Sequence, residues 1–193
     1  NQFEDVSNVY PEIFESMKNE KIKWEQIVLS ELPKKDKRPF IIGHPKMRNT
    51  QIPARDATPN GQIKRSNYYP NCSFMTNWID INDSITWDVE VAEDANFEAI
   101  IYFTCAKDAI GSKFELTFGD SNVAGEIKKF YDPEEYGEYR DRTPRIESYV
   151  KDFSPLNIGK IRLKKGKGTL RLKGIKKTGK ELMDFRLLML KRS

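Results

Sequence analysis

SITWDVEV, residues 84–91, sets Ile85, Trp87, Val89 and Val91 against Thr86, Asp88 and Glu90 in strict alternation. Successive side chains of a strand point to opposite faces, so this stretch presents one apolar and one polar face. That pattern belongs to a half-buried strand of an antiparallel sheet. The segments downstream use the same grammar. NFEAIIYFTC (96–105) is an aromatic and β-branched run of strand length, and SKFELTFG (112–119) alternates through Phe114, Leu116 and Phe118. GKIRLKKGKGTLRLKG (159–174) reads as a hairpin, with Ile161, Leu163, Leu170 and Leu172 on one side and Gly166-Lys167-Gly168 at the turn. ELMDFRLLML (181–190) reads as a closing strand. Short strands between turn signals, with no helical period among them, predict a mainly β fold: an antiparallel β-sandwich over 77–193.

Upstream the pattern changes. VYPEIFESMKNEKIKWEQIVL (9–29) places Ile13, Met17, Trp24, Ile27 and Val28 at helical spacing, with Pro11 suited to a first turn. SELPKKDKRPF (30–40) breaks regular structure with two prolines and a charge run, as a linker does. Residues 41–62 carry prolines at 45, 53 and 59 and an Asn-Gly at 60–61, so they read as extended and turn-rich. IKRSNYYPNCSFMTNW (63–78) is polar and aromatic without a period. The expected organisation is a helix and linker over 1–38, an extended lead-in packed on the sandwich over 39–76, and the sandwich over 77–193.

With 38% apolar and 32% charged residues, the chain is polar but able to build a core. No apolar run approaches the ~18 residues of a membrane-spanning helix. The net charge of +4 is unevenly spread: thirteen Lys or Arg lie in 159–193 against Glu181 and Asp184, leaving an acidic remainder. A basic C-terminal fifth points to an anionic partner, while the acidic body argues against nucleic acid. Cys72 and Cys105 lack metal or redox spacing, so one disulfide or two buried thiols both stand. A chain starting at Asn1 in a helix-like stretch is expected of a fragment or a mature product.

Several longer segments carry a family resemblance: QIPARDAT (51–58), IKRSNYYPNCSFMTNW (63–78), ITWDVEV (85–91), YFTCAKDAIGS (102–112), residues 141–173 and MDFRLLML (183–190). Together they resemble the C-terminal region of bacterial formylglycine-type sulfatases, the arylsulfatase and N-acetylgalactosamine-6-sulfatase-like group. The YPEI…W helix resembles the end of the sulfatase domain proper. The second half also resembles a galactose-binding-type jelly roll, a fold of many carbohydrate-binding modules. These likenesses imply a non-catalytic accessory domain of an exported, periplasmic or secreted sulfatase. It would position a sulfated carbohydrate or complete the active-site rim. The alternatives are a purely structural buttress of the catalytic domain and a free-standing secreted carbohydrate-binding or adhesion module. The implied partners are the chain's own sulfatase domain and a sulfated or acidic polysaccharide. Calcium and formylglycine are expected only in that catalytic domain, so no cofactor or metal is expected here.

No catalytic residue is assigned. A sulfatase nucleophile lies in Cys/Ser-x-Pro-x-Arg, and neither Cys72 nor Cys105 has that context. The only histidine, His44, sits in a GHPK turn and reads as a surface residue. Three surfaces remain as binding candidates. Strand alternation puts Arg162, Lys164, Arg171 and Lys173 on one face of the expected hairpin, as a stripe for sulfate or carboxylate groups or as a solvated outer face. Tyr131, Tyr136 and Tyr139 alternate with acids in 130–142, which suits sugar stacking and also suits a docking loop. Lys64, Arg65 and Asn67 are expected at an interface with the catalytic domain. Trp78 and Trp87 read as core. A Cys72–Cys105 disulfide is expected if the chain is exported.

Overall fold

The computed structural model describes residues 4–32, 38–69, 71, 73–143, 146 and 149–193. They form two compact units that divide after Arg38.

The first unit is built on helix α1 (Pro11–Ser30), with Pro11 in its first turn and Glu12 near the positive end of the dipole. Ion pairs Glu15–Lys18 (3.1 Å), Glu20–Lys23 (2.8 Å) and Lys21–Glu25 (2.6 Å) run along its surface. All are exposed and each contributes only a few tenths of a kcal/mol, on the order of 0.3–0.5. No side chain of the helix is buried.

The second unit is a β-sandwich of twelve strands: β1 (Phe40–Ile42), β2 (Asn49–Pro53), β3 (Thr58–Asn60), β4 (Lys64–Arg65), β5 (Met75–Thr76), β6 (Ser84–Val91), β7 (Ala95–Thr104), β8 (Lys113–Phe118), β9 (Ser121–Glu126), β10 (Ser154–Leu163), β11 (Gly166–Lys176) and β12 (Asp184–Arg192). One sheet runs β1-β6-β11-β8-β9, with β3 also on β6. The other runs β10-β7-β12-β5-β4, with β2 also on β12. All pairings are antiparallel except β1 with β6.

The alternation read from the sequence holds. Ile85, Trp87, Val89 and Val91 of β6 are buried, as are Phe97, Ala99, Ile101 and Phe103 of β7 and Phe114, Leu116 and Phe118 of β8. These faces meet in a single core with Ile161, Leu163, Leu170, Leu172, Phe185, Leu188 and Leu190. Trp78 and Trp87 both lie in it.

Two expectations are corrected. Residues 159–174 are not a hairpin: β10 pairs with β7 in one sheet, while β11 pairs with β6 and β8 in the other. Lys164 and Lys165 carry the chain from one sheet to the other, and Asp94 Oδ1 accepts a bond from the Lys165 amide at 2.7 Å. The inward residues of both strands face one core whether the strands pair beside or across it, so periodicity alone does not distinguish the two. The stretch 40–76 also does more than pack on the sandwich, because its five short strands are hydrogen-bonded into both sheets. Prolines and short lengths mask them in the sequence, and such strands survive at sheet edges where one side needs no partner.

From β6 to β12 the chain changes sheet at every connection except β8–β9. The register puts the connections 92–94, 119–120 and 164–165 at one end and 77–83, 105–112, 127–153 and 177–183 at the other. All the long loops of the later strands are thus gathered at a single end.

Candidate functional site

The long-loop end holds a cleft of about 300 Å³ whose walls include Asp108, Asp132, Lys180, Glu181 and Asp184, with Thr104, Cys105 and Met183 also lining it. Its loops are cross-braced. The Thr178 amide donates to Ser112 Oγ (3.1 Å), and Thr178 Oγ1 donates to the Ile110 carbonyl (3.0 Å). Asp108 Oδ2 accepts from the Lys180 amide at 3.1 Å. Gly179 is required there, since a Cβ would come within 2.8 Å of the Asp108 carbonyl carbon. On the other side, Glu181 Oε2 accepts from the Asn77 amide (3.1 Å), and the Leu182 amide donates to the Trp78 carbonyl (2.8 Å). Asn77 takes φ +59°, a left-handed conformation that asparagine tolerates better than most residues.

Asp184 is held through one carboxylate oxygen. Its Oδ2 accepts from Lys151 Nζ at 2.6 Å and from Thr104 Oγ1 at 3.3 Å. The Lys151 ammonium lies 4.8 Å from the Phe74 ring centre and 5.7 Å from that of Phe153, and its side chain is 9% exposed. Asp184 therefore fixes the cleft wall, whereas Asp132 is exposed and makes no side-chain hydrogen bond or ion pair to the described residues.

Tyr131 forms an antiparallel bridge with Cys105, through Cys105 N–H to Tyr131 O (2.8 Å) and Tyr131 N–H to Cys105 O (3.3 Å). This pins the aromatic loop to the cleft and brings Asp132 into its wall. Tyr136 bridges Val150 farther along, and its hydroxyl reaches Asp152 at 3.4 Å. Tyr139 is 76% exposed and carries the Arg140 guanidinium 5.2 Å from its ring. Of the three predicted tyrosines, Tyr131 is thus the one tied directly to the cleft.

Cys105 forms no disulfide with a described residue and is 4% exposed. Cys72 lies outside the described residues, and so does any pairing between the two. Burial pushes the Cys105 thiol above its usual value, and the nearby Asp132, Asp108 and Asp184 carboxylates add to the shift. The thiol form is therefore the one favoured by folding. This contribution is complete below the unfolded thiol's pKa and is lost as pH climbs through the raised folded value. In a Cys72→Ser variant, Cys105 is expected to react with a disulfide reagent at pH 8 at least tenfold more slowly folded than unfolded. Its melting temperature is expected to fall on going from pH 8 to 10, relative to Cys72→Ser/Cys105→Ala. Equal reactivity in both states would refute this account.

The basic stripe does not form. Arg162 lies on β10, opposite Asn96 and 3.8 Å from Asp94, while Arg171 and Lys173 lie on β11 in the other sheet, beside Thr86 and Thr117 and beside Ser84 and Glu115. Lys164 sits in the crossing between them. The four residues are divided between the two sheets and the crossing that joins them, because the expected hairpin is absent. His44 is exposed in a turn, its Nδ1 accepting from the Lys46 amide at 3.2 Å. Lys64 and Arg65 form β4, and Arg65 Nη2 donates to the carbonyls of Arg55 (3.3 Å) and Ala57. Asn67 Nδ2 donates to the Ile146 carbonyl at 3.0 Å. Sequence reasoning missed the cleft acids Asp108 and Glu181, which lie between strands, and Asp184, the first residue of β12.

The architecture is that of a jelly-roll β-sandwich, with its longer loops gathered at one end. No family model and no curated protein matches the sequence. Solved structures do match the fold. The C-terminal CBM6 of LamC, a marine laminarinase from Zobellia galactanivorans, aligns at 10% identity and TM-score 0.50, over 74% of this chain and 98% of the module. A GH26-CBM35 β-(1,4)-mannanase from Podospora anserina aligns at 12% identity and TM-score 0.50, over 75% of this chain and 28% of the enzyme. The mosquito-larvicidal Cry4Aa toxin from Bacillus thuringiensis aligns at 12% identity and TM-score 0.55, over 75% of this chain and 23% of the toxin. The chain therefore spans well under two thirds of the mannanase and of the toxin. At these identities the likeness establishes the fold, and a fold hosts many functions.

Proposed function

We propose that residues 39–193 form a non-catalytic carbohydrate-binding accessory module whose ligand enters the acidic cleft at the long-loop end. The observation that supports this most is the bridge between Tyr131 and Cys105. It ties a partly exposed tyrosine to a residue that lines a polar cleft bordered by carboxylates. Aromatic rings take the apolar faces of sugars, and carboxylates and an ammonium take their hydroxyls. With Asp108, Asp132, Glu181 and Asp184 opposed by Lys180, this cleft suits a neutral sugar better than an anionic one. Tyr136 and Tyr139 extend the aromatic surface along the same loop. A module of carbohydrate-active enzymes sharing the fold adds weight to this reading.

Following the sequence resemblance, the module's partner is a sulfatase catalytic domain acting on sulfated carbohydrates outside the cytoplasm. No metal or cofactor takes part in this chain's own role. The upstream gene sequence tests the partnership: a Cys/Ser-x-Pro-x-Arg motif is expected there, and its absence ends the sulfatase assignment. The structural-buttress reading has its own support in the exposed apolar residues Ile13, Met17, Trp24 and Ile27 of α1.

Calorimetry of the whole chain with laminarin and mannan oligosaccharides, preceded by a glycan array, tests the binding itself. Tyr131→Ala and Asp132→Asn are each expected to weaken the ligand found by fivefold or more, with no loss of melting temperature. An array without a hit, or affinity indifferent to both substitutions, would remove the cleft from consideration.

A further inference from the structure

A second pocket, of about 410 Å³, shares no lining residue with the cleft and is lined by Arg55, Arg65, Asn67 and Tyr68. We propose that it is an oxyanion subsite. Arg55 and Arg65 take a sulfate or carboxylate group of an acidic saccharide, and Tyr68 covers the sugar ring.

The Arg65 guanidinium is oriented before any ligand arrives. Its Nη2 donates to the carbonyls of Arg55 (3.3 Å) and Ala57, which leaves the donors on Nε and Nη1 without a hydrogen-bond partner among the described residues. An arginine carries five N–H donors in a planar fork, so a guanidinium held at one nitrogen still offers a bidentate edge. No carboxylate pairs with Arg65 among the described residues, and Arg55 meets only Asp56, at 3.5 Å through Nε with both side chains largely in water. Such an exposed pair is weak and yields readily to a better-placed anion.

The aromatic side of the pocket is open to a ligand. Tyr68 is 92% exposed, and the Tyr69 ring meets it edge-on at 5.4 Å. The loop that presents them is tied at several points. The Ser66 amide donates to the Phe74 carbonyl (2.8 Å), the Phe74 amide to Ser66 Oγ (3.1 Å), and the Tyr69 amide to Asn67 Oδ1 (2.9 Å). Asn67 is a strut of this loop, since its Nδ2 is spent on the Ile146 carbonyl. Two guanidiniums and an exposed ring in one pocket match a ring-borne oxyanion, whereas the carboxylates of the long-loop cleft repel one. The two sites thus divide neutral from acidic sugar recognition. The choice of a saccharide as scaffold rests on the function proposed above.

Calorimetry on the whole chain at low ionic strength, with galactose 6-sulfate, galacturonic acid, galactose and sodium sulfate, tests this and separates the two sources of the anion. At least one acidic sugar is expected to bind tenfold or more tightly than galactose and to weaken with added salt. Arg55→Gln and Arg65→Lys are each expected to lose fivefold or more; the latter keeps the charge and loses the fork. Tyr68→Ala should weaken the acidic sugar and leave sodium sulfate unchanged, whereas Tyr131→Ala should leave the acidic sugar unchanged. If no acidic sugar exceeds galactose, or if Arg55→Gln and Tyr68→Ala change nothing, the subsite is refuted. Sodium sulfate matching galactose 6-sulfate in affinity would overturn the saccharide assignment. A neutral-sugar site lost with Tyr131→Ala while the acidic arm persists would separate the failure of one site from that of the other.

Discussion

Trp87→Ala is expected to destabilise the sandwich unit by about 3–5 kcal/mol, the usual cost of removing a large buried aromatic side chain. Trp87 lies on the inner face of β6 and is 2% exposed. Its ring meets Phe185 of β12 edge-on at 5.7 Å across the two sheets. Its Nε1 donates to the Pro53 carbonyl at 3.2 Å, at the end of β2. One side chain therefore touches both sheets and an early short strand. Trp87→Phe keeps most of the packing but leaves the Pro53 carbonyl without its donor, so a smaller loss of roughly 1–3 kcal/mol is expected. Urea unfolding of both variants provides the measurement. A Trp87→Ala loss under about 1 kcal/mol would contradict this account of the core.

Asp184→Ala is expected to cost about 3–5 kcal/mol, because it leaves the Lys151 ammonium buried without its counter-charge. The side chains are 9% and 17% exposed, so water screens the 2.6 Å pair poorly. The Phe74 and Phe153 rings beside Lys151 offset only part of that loss. Lys151→Met should cost less, since Asp184 borders the cleft, retains the Thr104 hydroxyl and is open to hydration. The double variant Lys151→Met/Asp184→Leu should recover much of the stability lost in Asp184→Ala, because neither charge then remains buried alone. Additive losses in that double-mutant cycle would show that the pair is not coupled.

The pairing of Asp184 with Lys151 also shows where reading from sequence stops. The two residues are separated by two strands, and neither has a local pattern that names the other. Trp87 was legible as core because its neighbours alternate around it, and the 130–142 loop stood out because three tyrosines interleave with acids in it. Arg171 and Lys173 were correctly placed on an outer face. Their supposed companions, Arg162 and Lys164, are separated from them because strand order differs from sequence order. The cleft acids Asp108 and Glu181 carry no signal of their own; backbone bonds from Lys180 and Asn77 place them.

The stretch IKRSNYYPNCSFMTNW divides in the same way. Its composition marks it as polar and aromatic, but only the fold splits it into β4, β5, a tied loop and the buried Trp78. It also brings Arg55, ten residues upstream of Arg65, to the same pocket as Tyr68.

The sequence by itself determined that this is a mainly β chain with one preceding helix, and which face of each long strand is buried. Side-chain direction repeats every two residues, so that information is local and survives without knowledge of any partner. Only the tertiary structure decided which strands pair, that the basic residues are divided between two sheets, and which loops meet to form the cleft. Backbone ladder bonds are chemically alike in every strand. The choice among them is made by the simultaneous closing of the core and by distant contacts such as Trp87–Phe185 and Lys151–Asp184, which no short stretch contains.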